Sequence, residues 1–409
     1  MRIRFVTLYY PPEIGAAQRR IADLVTRLAR WGHTVTVLTG FPNYPSGKKP
    51  DGYRKKIIMR ESDGLVTIIR VPHYVAPNKG FFRRLLIHLT FAFFASLYTL
   101  VMKRDDIIYL ESPPLFNGFI GLTAKWFRRV PYLFNVADLW PQTAVELGLL
   151  KSPAVIAISL FLERLFYRCA ERILAITGGV RDHILAKGYP ADKVPLITNG
   201  VDPEIFSDTV APDAEVLSYR RGGSLLVVYA GTLGLVYALD TLLDAARQVR
   251  EEAFHFLFIG DGADKDRLMS LAAEGHLSNV TFLPPRGQSD MPAVFRAADL
   301  AVIPLRDLPV SRAIMPVKCF EMMAVGVPLI LAARGEMAQQ VVAAGCGEVI
   351  EPEDSTAIVA ALHRFRDMAP SERRRIGMRG RTFVIANFSR EEMTRRLEAA
   401  MNEVIADGR

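Results

Sequence analysis

The feature that most constrains this chain is a repeated alternation of short apolar runs with amphipathic helical stretches, the pattern of parallel βα units. Residues 3–9, 35–39, 65–71, 107–110, 132–136, 173–177 and 194–198 read as strands. Between the first two, Ala17, Ile21, Leu24, Val25 and Leu28 recur at helical spacing and stop at Gly32. The pattern pauses over 199–214, where Gly200, Pro203 and Pro212 mark a linker. It restarts with strands at 225–230, 254–259, 280–283, 300–304 and 328–332, and ends in helices at 371–387 and 391–405, the second capped by Ser389. A chain of 409 residues, 50% hydrophobic, is long enough for two cores. The fold expected is α/β, two Rossmann-like doubly wound domains facing across a cleft. They comprise residues 1–205 and 206–388, and 389–409 form a terminal helix that packs back toward the first domain.

Charge divides the chain unevenly. Residues 1–200 hold 28 Lys and Arg against 14 Asp and Glu, whereas the remainder holds 23 against 29. The first half therefore favours an anionic partner. Basic residues flank its most apolar segment, 85–102, with Lys79, Arg83 and Arg84 before it and Lys103 and Arg104 after. As a helix the segment covers about 27 Å, slightly less than a hydrocarbon core of ~30 Å. A buried core helix, a helix lying in the lipid interface with its arginines at anionic head groups, and a short span all fit this pattern. The basic residues lack interleaved aromatics on any nucleic-acid module, so no nucleic-acid partner is expected. Cys169, Cys319 and Cys346 match neither a disulfide framework nor a metal site and read as reduced thiols. The N-terminal residues show no h-region or cleavage site, which points to the cytoplasm.

Open α/β sheets bind ligands at the carboxyl ends of their strands. After the first strand comes Pro11-Pro12-Glu13-Ile14-Gly15-Ala16-Ala17, where Gly15 admits a ligand close to the backbone at a helix N-terminus. In the second half, Gly231-Thr232-Leu233-Gly234 and Gly260-Asp261-Gly262 follow successive strands, as expected of a nucleoside diphosphate site, although two tight turns without a ligand fit the same residues. Pro316 suits a helix start, and Gly326 with Pro328 ends that helix. Lys318 and Glu321, three residues apart, share a face near its start. There a carboxylate can accept bonds from ribose hydroxyls, and an ammonium can hold a diphosphate. An ordinary surface Lys–Glu pair fits the same spacing.

This helix resembles the one carrying the E-x7-E motif in the family-four retaining glycosyltransferases of GT-B fold. The ribose-binding second glutamate of that motif matches Glu321, while the first would fall at Ala313. The likeness runs through FPNYPSG at 41–47, SPPLFNG at 112–118, DLWP at 138–141, NGVD at 199–202, YAGTLG at 229–234 and PVKCFE at 316–321. Together these resemble the branch of lipopolysaccharide and exopolysaccharide transferases similar to the L-fucosamine transferase of O-antigen assembly. Many family members have an Arg and a Lys after the first strand of the second domain. Neither occurs here, which leaves Lys318, with Arg286 or Arg312, for the diphosphate. Many also have a His before the Asp of the fourth-strand loop, where this chain has Ala137. Asp138 then remains to orient the acceptor hydroxyl or face the sugar, unless it only N-caps the Leu-Trp-Pro turn.

The resemblance implies transfer of a sugar, with retention, from a nucleotide diphosphate sugar, with UDP expected, to a polyprenyl-diphosphate-linked saccharide. That reaction would take place at the inner face of the cytoplasmic membrane, in bacterial surface polysaccharide synthesis. It implies neither metal nor cofactor, the nucleotide sugar being a co-substrate. Glu13, Asn43, Arg83 and Arg84 are the residues expected on the acceptor and membrane side. A GT-B nucleotide-sugar 2-epimerase and a non-catalytic nucleotide-sugar-binding protein are the alternatives.

Overall fold

In the computed structural model the chain forms two α/β units, Met1–Thr198 with Arg390–Arg409, and Asn199–Ser389. The residues described are all but Ile14, 44–46, Lys55, 78–80, Leu147, Leu149, Arg221, Leu235 and 408–409. Tyr44, Pro45 and Ser46 of the FPNYPSG stretch and Lys79 of the basic flank thus lie outside the described residues. The sequence places the domain boundary near 205, whereas the first unit closes seven residues earlier, at Thr198.

The first unit runs β1 (Arg2–Val6), α1 (Ala16–Arg30), β2 (Thr34–Gly40), β3 (Met59–Asp63), β4 (Val66–Val71), α2 (Phe81–Val101) and β5 (Ile107–Ser112). It continues with α3 (Gly118–Arg128), β6 (Tyr132–Val136), α4 (Gln142–Glu146), α5 (Pro153–Cys169), β7 (Arg172–Ala175) and α6 (Gly178–Ala186). Its sheet has the order β3-β4-β2-β1-β5-β6-β7. All neighbours are parallel except β3 with β4. The edge strand β3, Met-Arg-Glu-Ser-Asp, carries no buried residue, so no apolar alternation announces it. Residues 194–198, read as a strand, contribute only a parallel bridge from Leu196 to Ala175. Pro195 lacks the N–H that a longer ladder needs. One side of the sheet packs Ile87 and Phe91 of α2, Ile120 of α3 and Phe166 of α5.

The second unit comprises α7 (Ala214–Ser218), β8 (Leu225–Ala230), α8 (Leu239–Gln248), β9 (Phe254–Ile259), α9 (Lys265–Glu274), β10 (Val280–Leu283), α10 (Met291–Ala297) and β11 (Leu300–Pro304). Next come α11 (Pro309–Ala313), α12 (Val317–Val325), β12 (Leu329–Ala332), α13 (Glu336–Ala344), β13 (Gly347–Ile350), α14 (Ser355–Asp367) and α15 (Pro370–Phe388). Strands β8, β9 and β11 are buried along their whole length, as expected for parallel strands covered on both faces. Their order is β10-β9-β8-β11-β12-β13. The last helix, α16 (Arg390–Asp407), belongs to the first unit. Its Met393, Leu397, Met401 and Val404 join Ile21, Leu24 and Leu28 of α1 on the other side of the first sheet. His33 and Glu398 meet there at 2.6 Å.

Both sheets reverse direction at an interior point, between β1 and β5 and between β8 and β11. The crevice outside the carboxyl ends of such strands is where doubly wound folds take ligands.

Candidate functional site

In the second unit the reversal point gathers the sequence-selected residues. Helix α12 starts after Pro316, whose φ of −60° is set by its ring, and stops at Gly326 in the left-handed region at φ 81°. That start aims Lys318 at the end of β8. Its Nζ donates to the Tyr229 hydroxyl at 2.8 Å, and that hydroxyl donates to the Thr232 carbonyl at 2.6 Å. The ammonium also lies 4.2 Å from the Tyr229 ring centre and 3.9 Å from that of Tyr237. Two aromatic faces offset part of the cost of burying the charge. Burial still dominates and lowers the Lys318 pKa from 10.5 to about 7. Cys319 and Glu321 raise it by smaller amounts, so the Glu321 carboxylate is close enough to act on the ammonium.

The glycine loops touch one another and Lys318. Gly231, at φ 132°, would put a Cβ 2.7 Å from Lys318 Nζ, while a Cβ on Gly260, at φ 149°, would strike the Gly231 carbonyl. Gly231 N–H donates to Ile259 O at 2.8 Å, and Leu233 N–H to Asp261 O at 2.9 Å. Gly262 lies under the Leu233 carbonyl. Gly231, Thr232, Gly234, Gly260 and Gly262 therefore make one double loop beside the helix start. Gly231 and Thr232 are exposed above it. The arrangement presents a titrating cation and a helix N-terminus to one small area, which suits an anion with two or more phosphates.

Neighbouring arginines are engaged elsewhere. Arg286 is held by Glu215 of α7, which raises its pKa, so the structure gives it an ion pair outside the double loop. Arg312 pairs with Asp307 at 2.9 Å, and Arg306 with Asp240 at 2.9 Å. Sequence reasoning missed Tyr229 and Tyr237. The adjacency of Tyr229 to Gly231 was visible, but the convergence of both rings on a lysine some ninety positions away was not.

In the first unit, Gly15 caps α1 without a side-chain bond. Glu13 Oε1 accepts from Asn43 N–H at 2.8 Å and so joins the loops after β1 and β2. Asn43 also bonds His73 at 2.8 Å. Burial lowers the pKa of that imidazole to about 4, so it is neutral. Asp138, two residues past β6, accepts from Thr143 Oγ1 at 2.8 Å. Burial raises its pKa, and the Thr143 and Leu139 bonds counter part of that shift. The carboxylate thus has the capping bonds that its sequence context allows. A buried cluster absent from the sequence reading sits at the reversal point: Arg20 of α1 pairs with Glu111 of β5 at 2.5 Å. Glu111 also accepts from Tyr109 at 3.1 Å and from Asn135 at 3.0 Å. Arg83 and Arg84 are exposed at the start of α2.

Comparison with known proteins bears on this site. Residues 15–200 match the model of the glycosyl transferase 4-like domain, and residues 218–383 that of the glycosyl transferases group 1. The chain is 26% identical over 379 residues to the putative colanic acid biosynthesis glycosyl transferase WcaI of Escherichia coli, covering 89% of this chain and 92% of the relative. It is 32% identical over 199 residues to a D-inositol 3-phosphate glycosyltransferase of Stackebrandtia nassauensis, 43% of that protein. The fold matches sucrose-phosphate synthase from Thermosynechococcus elongatus at a TM-score of 0.76 and 18% identity, over 99% of both chains. It matches Anabaena HepE in complex with UDP and glucose at 0.71 and 16%, over 98% of this chain and 99% of that one. The protein is a glycosyltransferase with the GT-B fold. Its first unit carries the glycosyl transferase 4-like domain and its second the group 1 domain, and with that pairing it belongs to the family-four glycosyltransferases.

Proposed function

We propose that this chain transfers a sugar from a UDP-sugar to a polyprenyl-diphosphate-linked saccharide, with retention of configuration. The reaction would take place at the inner face of the cytoplasmic membrane, in the synthesis of a bacterial surface polysaccharide. The observation that carries the reading is Lys318, held by Tyr229 at a helix start against the Gly231 and Gly260 loops. The names of the relatives, a colanic acid transferase among them, support the pathway class, and the HepE complex supports the nucleotide. The motif resemblance supports retention and the lipopolysaccharide and exopolysaccharide branch.

On this reading Lys318 and the N–H groups at the start of α12 stabilise charge on the departing diphosphate. That phosphate takes the acceptor proton as the hydroxyl attacks from the same face, so no enzymic nucleophile is needed. Glu321 accepts from the ribose diol. Asp138, already oriented by Thr143, faces the acceptor or the sugar.

Transfer from UDP-sugars to lipid-linked saccharides extracted from a polysaccharide-producing bacterium tests the whole reading. The anomeric configuration of the product, read by NMR, should equal that of the donor, and inversion would overturn retention. Glu321→Gln should raise the donor KM by about 10- to 100-fold, the worth of charge-assisted hydrogen bonds, with the product unchanged. A mutant KM equal to that of the wild type would remove Glu321 from the ribose.

A further inference from the structure

Helix α2 lies along the first unit's sheet with a face that the described residues of the unit leave largely exposed. The 20-residue stretch Phe82–Val101 has a mean hydropathy of 1.6, and only 28% of its 18-residue apolar core is buried. Ile87, Phe91 and Ala95 pack inward. Phe82, Leu86, Leu89, Phe93, Leu97 and Leu100 form a stripe of exposed side chains at helical spacing. Both ends of α2 feed the same sheet, through β4 and β5. A helix tied in this way lies along the unit and does not cross a bilayer with a strand on either side.

The apolar surface continues beyond α2. Helices α2, α3 and α5 each connect parallel strands on the same side of the sheet, so they run in one direction. Phe119 of α3 and Phe166 of α5 stack edge to face at 5.1 Å, and Gly118 lets Phe166 approach. Outward from these helices stand Trp126 and Phe127, 58% and 72% exposed, and Ile158 and Phe161, 59% and 65% exposed. Exposed apolar side chains on three adjacent helices exceed the scattered hydrophobics normal for a soluble surface.

The charges on these helices have one sign outside. Helices α2 and α3 contain no Asp or Glu, and the single acid of α5, Glu163, is buried and held by Lys187 at 2.6 Å. Lys103, Arg104 and Arg129 are exposed where α2 and α3 end, and Arg164 and Arg168 near the end of α5. Arg104 bonds the Arg129 carbonyl at 3.1 Å and Arg128 the Met102 carbonyl at 2.8 Å, which ties the two helix ends together. Arg83 and Arg84 mark the opposite end of α2. An apolar band with basic ends is complementary to acyl chains bordered by anionic head groups.

From this we infer that α2, α3 and α5 form one docking platform for an anionic phospholipid bilayer, with Trp126, Phe127 and Phe161 inserted beside α2. The platform is independent of the donor chemistry proposed above, and a vesicle assay without donor or acceptor keeps the two apart. The full chain is sedimented with phosphatidylcholine vesicles containing or lacking phosphatidylglycerol. Wild type should bind the anionic vesicles. Trp126→Ser/Phe127→Ser/Phe161→Ser should lower partitioning by about tenfold or more, and Arg164→Gln/Arg168→Gln by about fivefold per charge. Circular dichroism and UDP binding of both variants should match wild type. Partitioning of the triple variant equal to wild type would overturn the platform. So would a concentration-dependent dimer, without vesicle binding, that the triple variant abolishes, because the face would then belong to a second copy of the chain.

Discussion

Lys318→Met should lower turnover by about 10²–10³-fold, the usual loss when a pre-organised charge opposite a developing anion is removed. The same substitution should make the ligand-free protein more resistant to heat. Burial holds the Lys318 pKa near 7 against 10.5 in the unfolded chain, so below about pH 7 folding carries the full cost of burying the ammonium. Between pH 7 and 10.5 the unfolded chain binds more protons than the folded one, and wild-type stability rises with pH. Methionine fills a similar volume without charge, and Tyr229 keeps its bond to the Thr232 carbonyl. The Tm at neutral pH should rise by about 3–8 °C, and the contribution of this group to the pH slope should vanish. The affinity of wild type for a UDP-sugar, whose diphosphate does not titrate near neutrality, should fall by up to about tenfold per pH unit above 7, because binding needs the proton. Calorimetry and ligand titration across that range check both effects. Unchanged turnover, or a lower Tm with lost activity, would reduce Lys318 to a packing residue.

Gly260→Ala should be the most damaging single methyl in the second unit. The new Cβ would meet the Gly231 carbonyl, and φ is 149°, a region that L side chains rarely adopt. Strain and overpacking together should cost about 2–5 kcal/mol. Because Gly231 lies against Lys318, the displaced loop should also weaken UDP binding, by about tenfold or more in the fraction that remains folded. Gly222→Ala is the control. Gly222 has φ 56° and open space around it, so its cost should be backbone strain alone, about 1 kcal/mol, with UDP affinity unaltered. Equal effects of the two substitutions on UDP affinity would show that the contact between the glycine loops is irrelevant to the site.

Much of the fold is legible because parallel strands covered on both faces read as unbroken apolar runs. Leu225–Ala230 and Phe254–Ile259 are the clearest cases, and the structure matches their bounds. Punctuation at Pro316 and Gly326 bounds α12 in the same way, since backbone dihedral preference is local. Strand β3 escapes because an exposed edge needs no apolar pattern. The stretch 194–198 misleads because apolar spacing carries no information about the donor missing at Pro195.

Sequence alone thus determined most of the strands and helices, that Lys318 and Glu321 share the start of one helix, and that 85–102 is apolar with basic flanks. Only the tertiary structure decided what stands beside them. Strand order put β8 next to β11, which brings Tyr229 and Tyr237 onto Lys318 and lowers its pKa. It also gave Arg286 to Glu215, and left α3 and α5 exposed beside α2. The physical reason is that periodicity records which face of an element avoids water. The neighbour that the face meets, and hence the dielectric and the charge around each group, follows from how distant strands pair and pack.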